Sequence, residues 1–413
     1  MSAIEKKFNA LGVDHAPGQE IRQQAALAKS QLRGDVLPGC PVDFSHGDVG
    51  DTAFTPLPGA LEHFVQGTAR GGQQAYTEYR GSADLRDDLA KKLAIFTGAP
   101  LTGTSEVIIT PGTQGALFLA AAATITAGDQ VAIATPDYFA NRKIIAFLGA
   151  QAVPIRIDFL GRQNAAGIDL EQLQAAFKTG VRTFLFSNPN NPTGVVYSPS
   201  EVGEIATLAN RYGVTVIVDQ LYARLLYAGQ AYTHLRATEI DPDHVLTIMG
   251  PSKTESLSGY RVGAAFGAPK LIERMEKLQA IVSLRAAGYC QAVLRAWFAE
   301  PAGWMQNRIE QHAAIRDDLL RVLRQVPGLA VRTPEAGSYL FPCLPQLDLT
   351  LHQFVLALRQ QAAVTVTAGT EFDPHATDAI RLNFSQNRSA STQAAERIAQ
   401  MIERYRRWRE GDS

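Results

Sequence analysis

The stretch HVLTIMGPSKTESLSGYRVGAAFG at 244–267 sets a lysine between two apolar runs, and its reading decides the fold. HVLTIM (244–249) and YRVGAAFG (260–267) read as strands. Only residues 250–259 separate them, too few for the helical crossover that parallel neighbours need, so the second strand is expected to run antiparallel to the first. Lys253 then lies in a short loop between strands. Upstream, EVIIT (106–110), QVAIATP (130–136), AVPIRI (152–157), TFLFSNP (183–189) and VTVIVDQ (214–220) alternate with longer helical patterns. Their near-continuous hydrophobicity predicts a sheet covered by helices on both faces, which is the mark of a parallel α/β arrangement. After about residue 300 the pattern changes to amphipathic helices, EQHAAIRDDLLRVLRQV, LHQFVLALRQQ and STQAAERIAQMIERYRRW, with short strands between. The expected architecture is α/β. A large domain over 59–298 holds a mostly parallel seven-stranded sheet between helices, and a smaller α+β domain is built from 1–58 and 299–413.

A chain of 413 residues exceeds one small core, since single cores stop growing near ~250–300 residues. Hydrophobic residues at 46% and charged residues at 19% are the balance of a soluble globular protein. A net charge of -1 without a basic block argues against nucleic acid as a partner. Cys40, Cys290 and Cys343 offer neither a disulfide framework nor metal-ligand spacing, and the eight histidines show no paired spacing, so no metal is expected. A reducing, cytoplasmic setting is the expectation. The start MSAIEKKFNALG lacks a signal-peptide apolar region, and ALFLAAAATITA (116–127) is too short to span a bilayer and reads as a buried helix, so no membrane role is expected. IRQQAALAKSQLRG (21–34) carries helical potential, and RYRRWREGDS (404–413) reads as a solvated helix end.

Four polar marks accompany Lys253. SNPNNPTG (187–194) ends an apolar strand, where ligands bind in open α/β sheets, and its prolines can hold Asn191 against a ligand oxygen; read alone, it is equally an ordinary turn. Asp219 follows VTVIV, where a carboxylate is costly to bury without a partner. Opposite a pyridine nitrogen at about 4 Å and an effective dielectric near 20, it would favour the protonated ring by about 4 kcal/mol. An N-cap or a structural ion pair is the plainer alternative. PGTQGA (111–116), with Gly112, Thr113 and Gln114, stands between a strand and a helix and can offer N–H groups to a phosphate; read alone, it is equally a plain strand-to-helix turn. GPSKT fails as a P-loop because Ser252, not glycine, precedes the lysine. Arg261 comes eight residues after Lys253, and Arg381 lies far downstream. One amine, a carboxylate, the Tyr222 phenol, an amide and two guanidiniums suit a phosphorylated pyridine aldehyde and an amino acid, so the chain reads as an enzyme dependent on pyridoxal 5'-phosphate (PLP).

Taken jointly, SNPNNPTG, DQLYARLLYAG, PSKTESLSGYRVG and AIRLNFS resemble the class I/II, aspartate aminotransferase-like family of PLP fold type I, over about 43–404. The resemblance implies that Lys253 carries the cofactor covalently and serves as general base, Asp219 pairs with the pyridine nitrogen, and Asn191 and Tyr222 bond the ring hydroxyl. It gives Tyr138 the stacking position on the ring. Gly112, Thr113, Gln114, Ser252 and Arg261 go to the phosphate, and Tyr76 reaches the phosphate of a neighbouring subunit. Arg381 holds the substrate α-carboxylate, with Gly47 of SHGD offering backbone nearby. The resemblance also implies a homodimer with shared active sites. Its implied activity moves the amino group of an L-amino acid to a 2-oxo acid, in ping-pong fashion through pyridoxamine phosphate.

Three departures stand out. Gly250 occupies the place of a phosphate-binding serine, so that contact is lost or passes to Ser252 or a main-chain amide. Gln220 stands where many relatives carry an acid. Arg285, in SLRAAGYCQ, has two readings that stay open: a reader of a distal carboxylate, as on aspartate or 2-oxoglutarate, and a surface arginine. Other PLP chemistry on the same fold (lyase, decarboxylase, oxidase) stays open too, since fold does not decide reaction. A non-enzymatic PLP-binding sensor module is the remote reading, for which the roughly 40 residues before Pro41 are too few and too weakly basic to bind DNA.

Overall fold

The computed structural model describes residues 1–13, 16–18, 20, 26–47 and 54–407. Seven strands form the main sheet: β1 Val107–Thr110, β2 Gln130–Thr135, β3 Gln151–Arg156, β4 Thr183–Ser187, β5 Thr215–Asp219, β6 Val245–Met249 and β7 Gly263–Gly267. Their order is β1-β7-β6-β5-β4-β2-β3. The pairs among β2 to β6 are parallel, and β7 runs antiparallel to both β6 and β1. The antiparallel turn at 250–262 is the one the short spacing predicts. Every strand except β7 therefore points its carboxyl end to one edge, and the loops after β1, β2, β4, β5 and β6 gather there.

Strand ends fall short of the expected bounds where backbone chemistry intervenes. YRVGAAFG begins as a strand only at Gly263, because Ser258–Tyr260 is a 3-10 turn and Arg261 is left-handed with φ 51°. β3 is an edge strand and mostly solvated, as Pro154 within it allows; full burial on both faces holds for the inner strands. Of ALFLAAAATITA, residues 116–124 belong to helix α1, Gly112–Thr124, which buries Ala116, Leu117, Leu119, Ala120, Ala121 and Ala123, and the chain turns extended at Ile125.

A second core joins the chain's two ends. Val42, Phe44 and Phe54 pack with residues of α2 Trp304–Leu323, α3 Leu351–Ala362 and α4 Arg388–Tyr405. Val42–Asp43 pairs in parallel with Val364–Thr365. Strand β8, Ile380–Asn383, is the centre of an antiparallel trio with Thr367–Ala368 and Tyr339–Leu340. α2 starts six residues before the expected EQHAA, and α4 starts at Arg388, capped by the Asn387 side chain on Ala390 N–H. Of IRQQAALAKSQLRG, 21–25 lie outside the described residues, and the remainder holds only the 3-10 turn Lys29–Gln31. Residues 408–413 also lie outside the described residues, and α4 ends at Tyr405.

Candidate active site

The carboxyl edge of the sheet and strand β8 enclose one pocket lined by Thr113, Gln114, Tyr138, Ser187, Asn191, Asp219, Tyr222, Lys253, Tyr339 and Arg381, among others. Lys253 is half-buried in the β6–β7 loop, and among the described residues its amine makes no hydrogen bond or ion pair. Asp219 ends β5, in register with Ser187 on β4 and Ile248 on β6. Its Oδ1 accepts from Leu221 N–H at 3.0 Å, and burial pushes the carboxyl up to about 6. No described cation pairs with it. A half-buried carboxylate in that state, opening on the pocket, is poised for a cationic partner.

Arg381 comes from β8 and is buried. Its Nη1 donates to Asn191 Oδ1 at 3.1 Å and its Nη2 donates to the Ser45 carbonyl. The guanidinium lies between the rings of Tyr339 and Phe372, at 4.6 and 4.7 Å from their centroids. Its Nε is buried without a partner. Two flanking rings and two acceptors fix the fork's plane, the condition for a bidentate carboxylate contact. Gly47 lies beside this strand, where a Cβ would come within 2.9 Å of Asn383 Oδ1 and Ser385 Cβ.

A second cluster forms at the amino end of α1. This helix has no side-chain cap, so its first N–H groups stay free for an anion. Gly112 has φ 73°, and a Cβ there would meet Arg261 Nη2 at 2.5 Å, so the guanidinium sits directly on the turn. Ser252 Oγ is buried without a partner. Tyr138 donates its hydroxyl to Gln114 Oε1 at 2.9 Å. The Gly250 departure has a steric reason: a Cβ at 250 would come within 2.7 Å of Thr113 Cγ2, and one at Gly263 within 2.6 Å of Thr113 N. The threonine methyl fills the space a serine at 250 would need. Gln220 is buried against His234, its Oε1 3.0 Å from the ring Nδ1, and burial pushes that imidazole down to about 4. An acid here would face a neutral ring beside Asp219.

Two expected residues lie elsewhere. Tyr76 is 74% exposed, with the Arg285 guanidinium 3.8 Å above its ring, and Arg285 Nη1 donates to the Thr77 carbonyl. Neither lines the pocket of its own chain.

The model of the family "Aminotransferase class I and II" matches residues 41–398. The chain belongs to this aminotransferase family. An aspartate aminotransferase from Rhodobacter sphaeroides is similar in structure, with TM-score 0.94 and 59% identity over 98% of this chain and all of that one. The aspartate aminotransferase of Geobacillus stearothermophilus is 28% identical over 87% of this aminotransferase and 92% of its own length, and an asparagine–oxo-acid transaminase of Streptococcus mutans is 27% identical over 93% and 98%. The α/β fold with its seven-stranded, mostly parallel sheet is that of fold type I, and the aminotransferase is a PLP-dependent enzyme. Its residues fit the cofactor: the Asp219 carboxylate without a cationic partner, the Lys253 amine without a partner and the uncapped α1 end at Thr113 and Gln114 line one pocket, and the orphaned Ser252 hydroxyl is next in sequence to Lys253 while Arg261 sits on the Gly112 turn. Among the described residues no cluster suits a metal ion and no helix is long and apolar enough to cross a membrane.

Sequence reasoning passed over Asp137, Ser187 and Tyr339. Asp137 accepts from Ser187 Oγ–H and from the N–H groups of Ser187 and Tyr138, and Ser187 Oγ in turn accepts from Asn191 N–H at 3.1 Å. The aspartate thereby holds the 187–194 loop that carries Asn191. Its signal was available, a carboxylate just past a buried strand on the ligand edge of the sheet. Tyr339 had none, because two-residue strands leave no periodic mark.

Proposed function

We propose that this aminotransferase moves the amino group of a dicarboxylic L-amino acid, aspartate in the first place, to 2-oxoglutarate, working in the cytoplasm as a homodimer with shared sites. The observation that carries the reading is the buried Arg381 fork, held between two rings and opening on the pocket that contains Lys253 and Asp219. Arg381 binds the α-carboxylate of the incoming amino acid and, with Asn191, sets which Cα bond faces the lysine. The Lys253 amine would take the Cα proton and hand it to the cofactor's reactive carbon within the same half-reaction, and would run that transfer in reverse on the 2-oxo acid in the second half. Asp219 would keep a proton on the cofactor's ring nitrogen, Tyr222 and Asn191 would hold its ring oxygen, and Tyr138 would cover its face. The α1 end, Thr113, Gln114, Ser252 and Arg261 hold the phosphate. When bound, PLP supplies the electron sink that makes the Cα proton acidic.

Support for the dimer comes from an exposed apolar face. Leu61, Val65, Tyr76, Tyr79, Ile281 and Val282 are 44–81% exposed and sit on adjoining segments, with Gln74 bonded to Gly288 and Gln279 to the Tyr79 carbonyl. A partner covering this face would receive Tyr76 and Arg285 together, so the phosphate contact and the distal-carboxylate contact would cross as one unit. The domain boundaries at 58/59 and 298/299 belong to the same proposal, the smaller domain carrying Arg381 toward the larger one's Lys253. A kinetic comparison of Arg285→Leu with the parent tests the substrate: KM for aspartate rises about tenfold or more while an aromatic amino acid is nearly unaffected. Equal effects on both would remove the dicarboxylate reading.

A further inference from the structure

The Tyr222 and Tyr339 hydroxyls are hydrogen-bonded to each other, and both residues are buried. Tyr222 lies just beyond Asp219 at the end of β5, whereas Tyr339 comes from the strand beside β8, in register with Asn383. The Tyr339 ring also lies under the Arg381 guanidinium. One side chain thus touches both the phenol facing the cofactor's ring oxygen and the arginine facing the substrate's carboxylate.

We infer that Tyr339 is a positioning residue that acts on the cofactor through Tyr222 and on the substrate through Arg381. The inference rests on the proposed role of Tyr222 at the ring oxygen. A phenol has one proton to donate and lone pairs to accept. When Tyr222 gives its proton to an acceptor in the pocket, the bond between the two phenols must be donated by Tyr339. A donated bond makes Tyr222 the stronger donor in turn. It also leaves Tyr222 one rotor position, with its ring 3.5 Å from where a Cβ on Gly337 would stand. Burial and the Tyr339 bond both hold the Tyr222 phenol well above its ordinary range, so it stays protonated and remains a donor.

The consequence is spectroscopic. A bond donated to the ring oxygen draws off the negative charge that retains the proton on the lysine–cofactor linkage, so that proton leaves at lower pH. Weakening the bond raises the pH at which the visible band of the PLP-loaded enzyme changes.

The experiment is a pH titration of that band in PLP-loaded parent, Tyr222→Phe, Tyr339→Phe and the double variant, with dissociation constants for a carboxylate inhibitor measured alongside. Tyr222→Phe should raise the midpoint by about one pH unit and Tyr339→Phe by about half a unit, the scale of one net hydrogen bond. The double variant should match Tyr222→Phe alone. Tyr339→Phe keeps its ring under Arg381 and should bind the inhibitor within about twofold of the parent, whereas Tyr339→Leu should bind about five- to thirtyfold more weakly. An unmoved midpoint in Tyr339→Phe, with Tyr222→Phe shifted, overturns the inference and leaves the Tyr222 role standing. A further shift in the double variant overturns it as well, because Tyr339 would then act by another route. An unmoved Tyr222→Phe removes the Tyr222 role, and the inference with it.

Discussion

Asp219 is the residue whose surroundings most constrain the chemistry. Placed about 4 Å from a ring nitrogen, as the proposed function has it, the carboxylate would stabilise the protonated ring by about 4 kcal/mol at an effective dielectric near 20. Asp219→Asn is therefore expected to lower kcat/KM about a thousandfold with little change in KM, measured under steady state with aspartate. The same carboxylate gives a pH prediction for the cofactor-free protein. Its folded pKa of about 6 is raised above the usual value near 4, so its contribution to stability is fully present below about pH 4 and is lost as pH rises through about 6. The stability of the parent relative to Asp219→Asn, from urea midpoints, should fall between those limits; a flat difference would contradict the raised pKa. Asp219 was legible in sequence because a carboxylate after VTVIV has few plain explanations. Asp137 carried the same signal, a carboxylate just past a buried strand, and burial pushes it higher, to about 7; what TPDYF does not reveal is that Ser187 lies beside it.

At the scale of elements, the phosphate end of the pocket is a packing problem set by three glycines, one at the start of α1 and two at the ends of the β6–β7 connection. Gly250 and Gly263 make room for Thr113, and Gly112 makes room for Arg261. Gly250→Ser should therefore weaken PLP binding about tenfold by displacing Thr113, although it supplies the serine that the family resemblance leads one to expect there. Thr113→Ser in that background removes the clashing methyl and should recover most of the affinity; equilibrium dialysis against PLP measures both. The inner strands could be read from sequence because burial on both faces leaves continuous apolar runs. β3 was legible only in outline, since an edge strand with Pro154 satisfies weaker rules. The short strands that bring Tyr339 and Arg381 together span two and four residues, below the length at which alternation can be recognised. Arg381 was found by its resemblance, through AIRLNFS, and not by periodicity.

For the whole molecule, shared sites require two chains. Sedimentation should give twice the 44.7 kDa of one chain, and a charge placed at Ile281, which is 81% exposed here, should shift the protein toward monomer. Shared sites make a sharper prediction. Lys253→Ala and Arg285→Leu are each expected to be poor with aspartate, but refolded as a mixture they form hybrids in which one site has both Lys253 and a partner's Arg285. Activity with aspartate should reappear on mixing; its absence would put Arg285 outside the partner's site.

The central claim, that Lys253 and its pocket carry PLP through transamination, is tested most directly by the visible spectrum of the purified enzyme. The PLP band should give way to that of pyridoxamine phosphate on adding aspartate alone, and return on adding 2-oxoglutarate. A band unmoved by any amino acid, or ammonia, carbon dioxide or peroxide appearing without pyridoxamine phosphate, would contradict it.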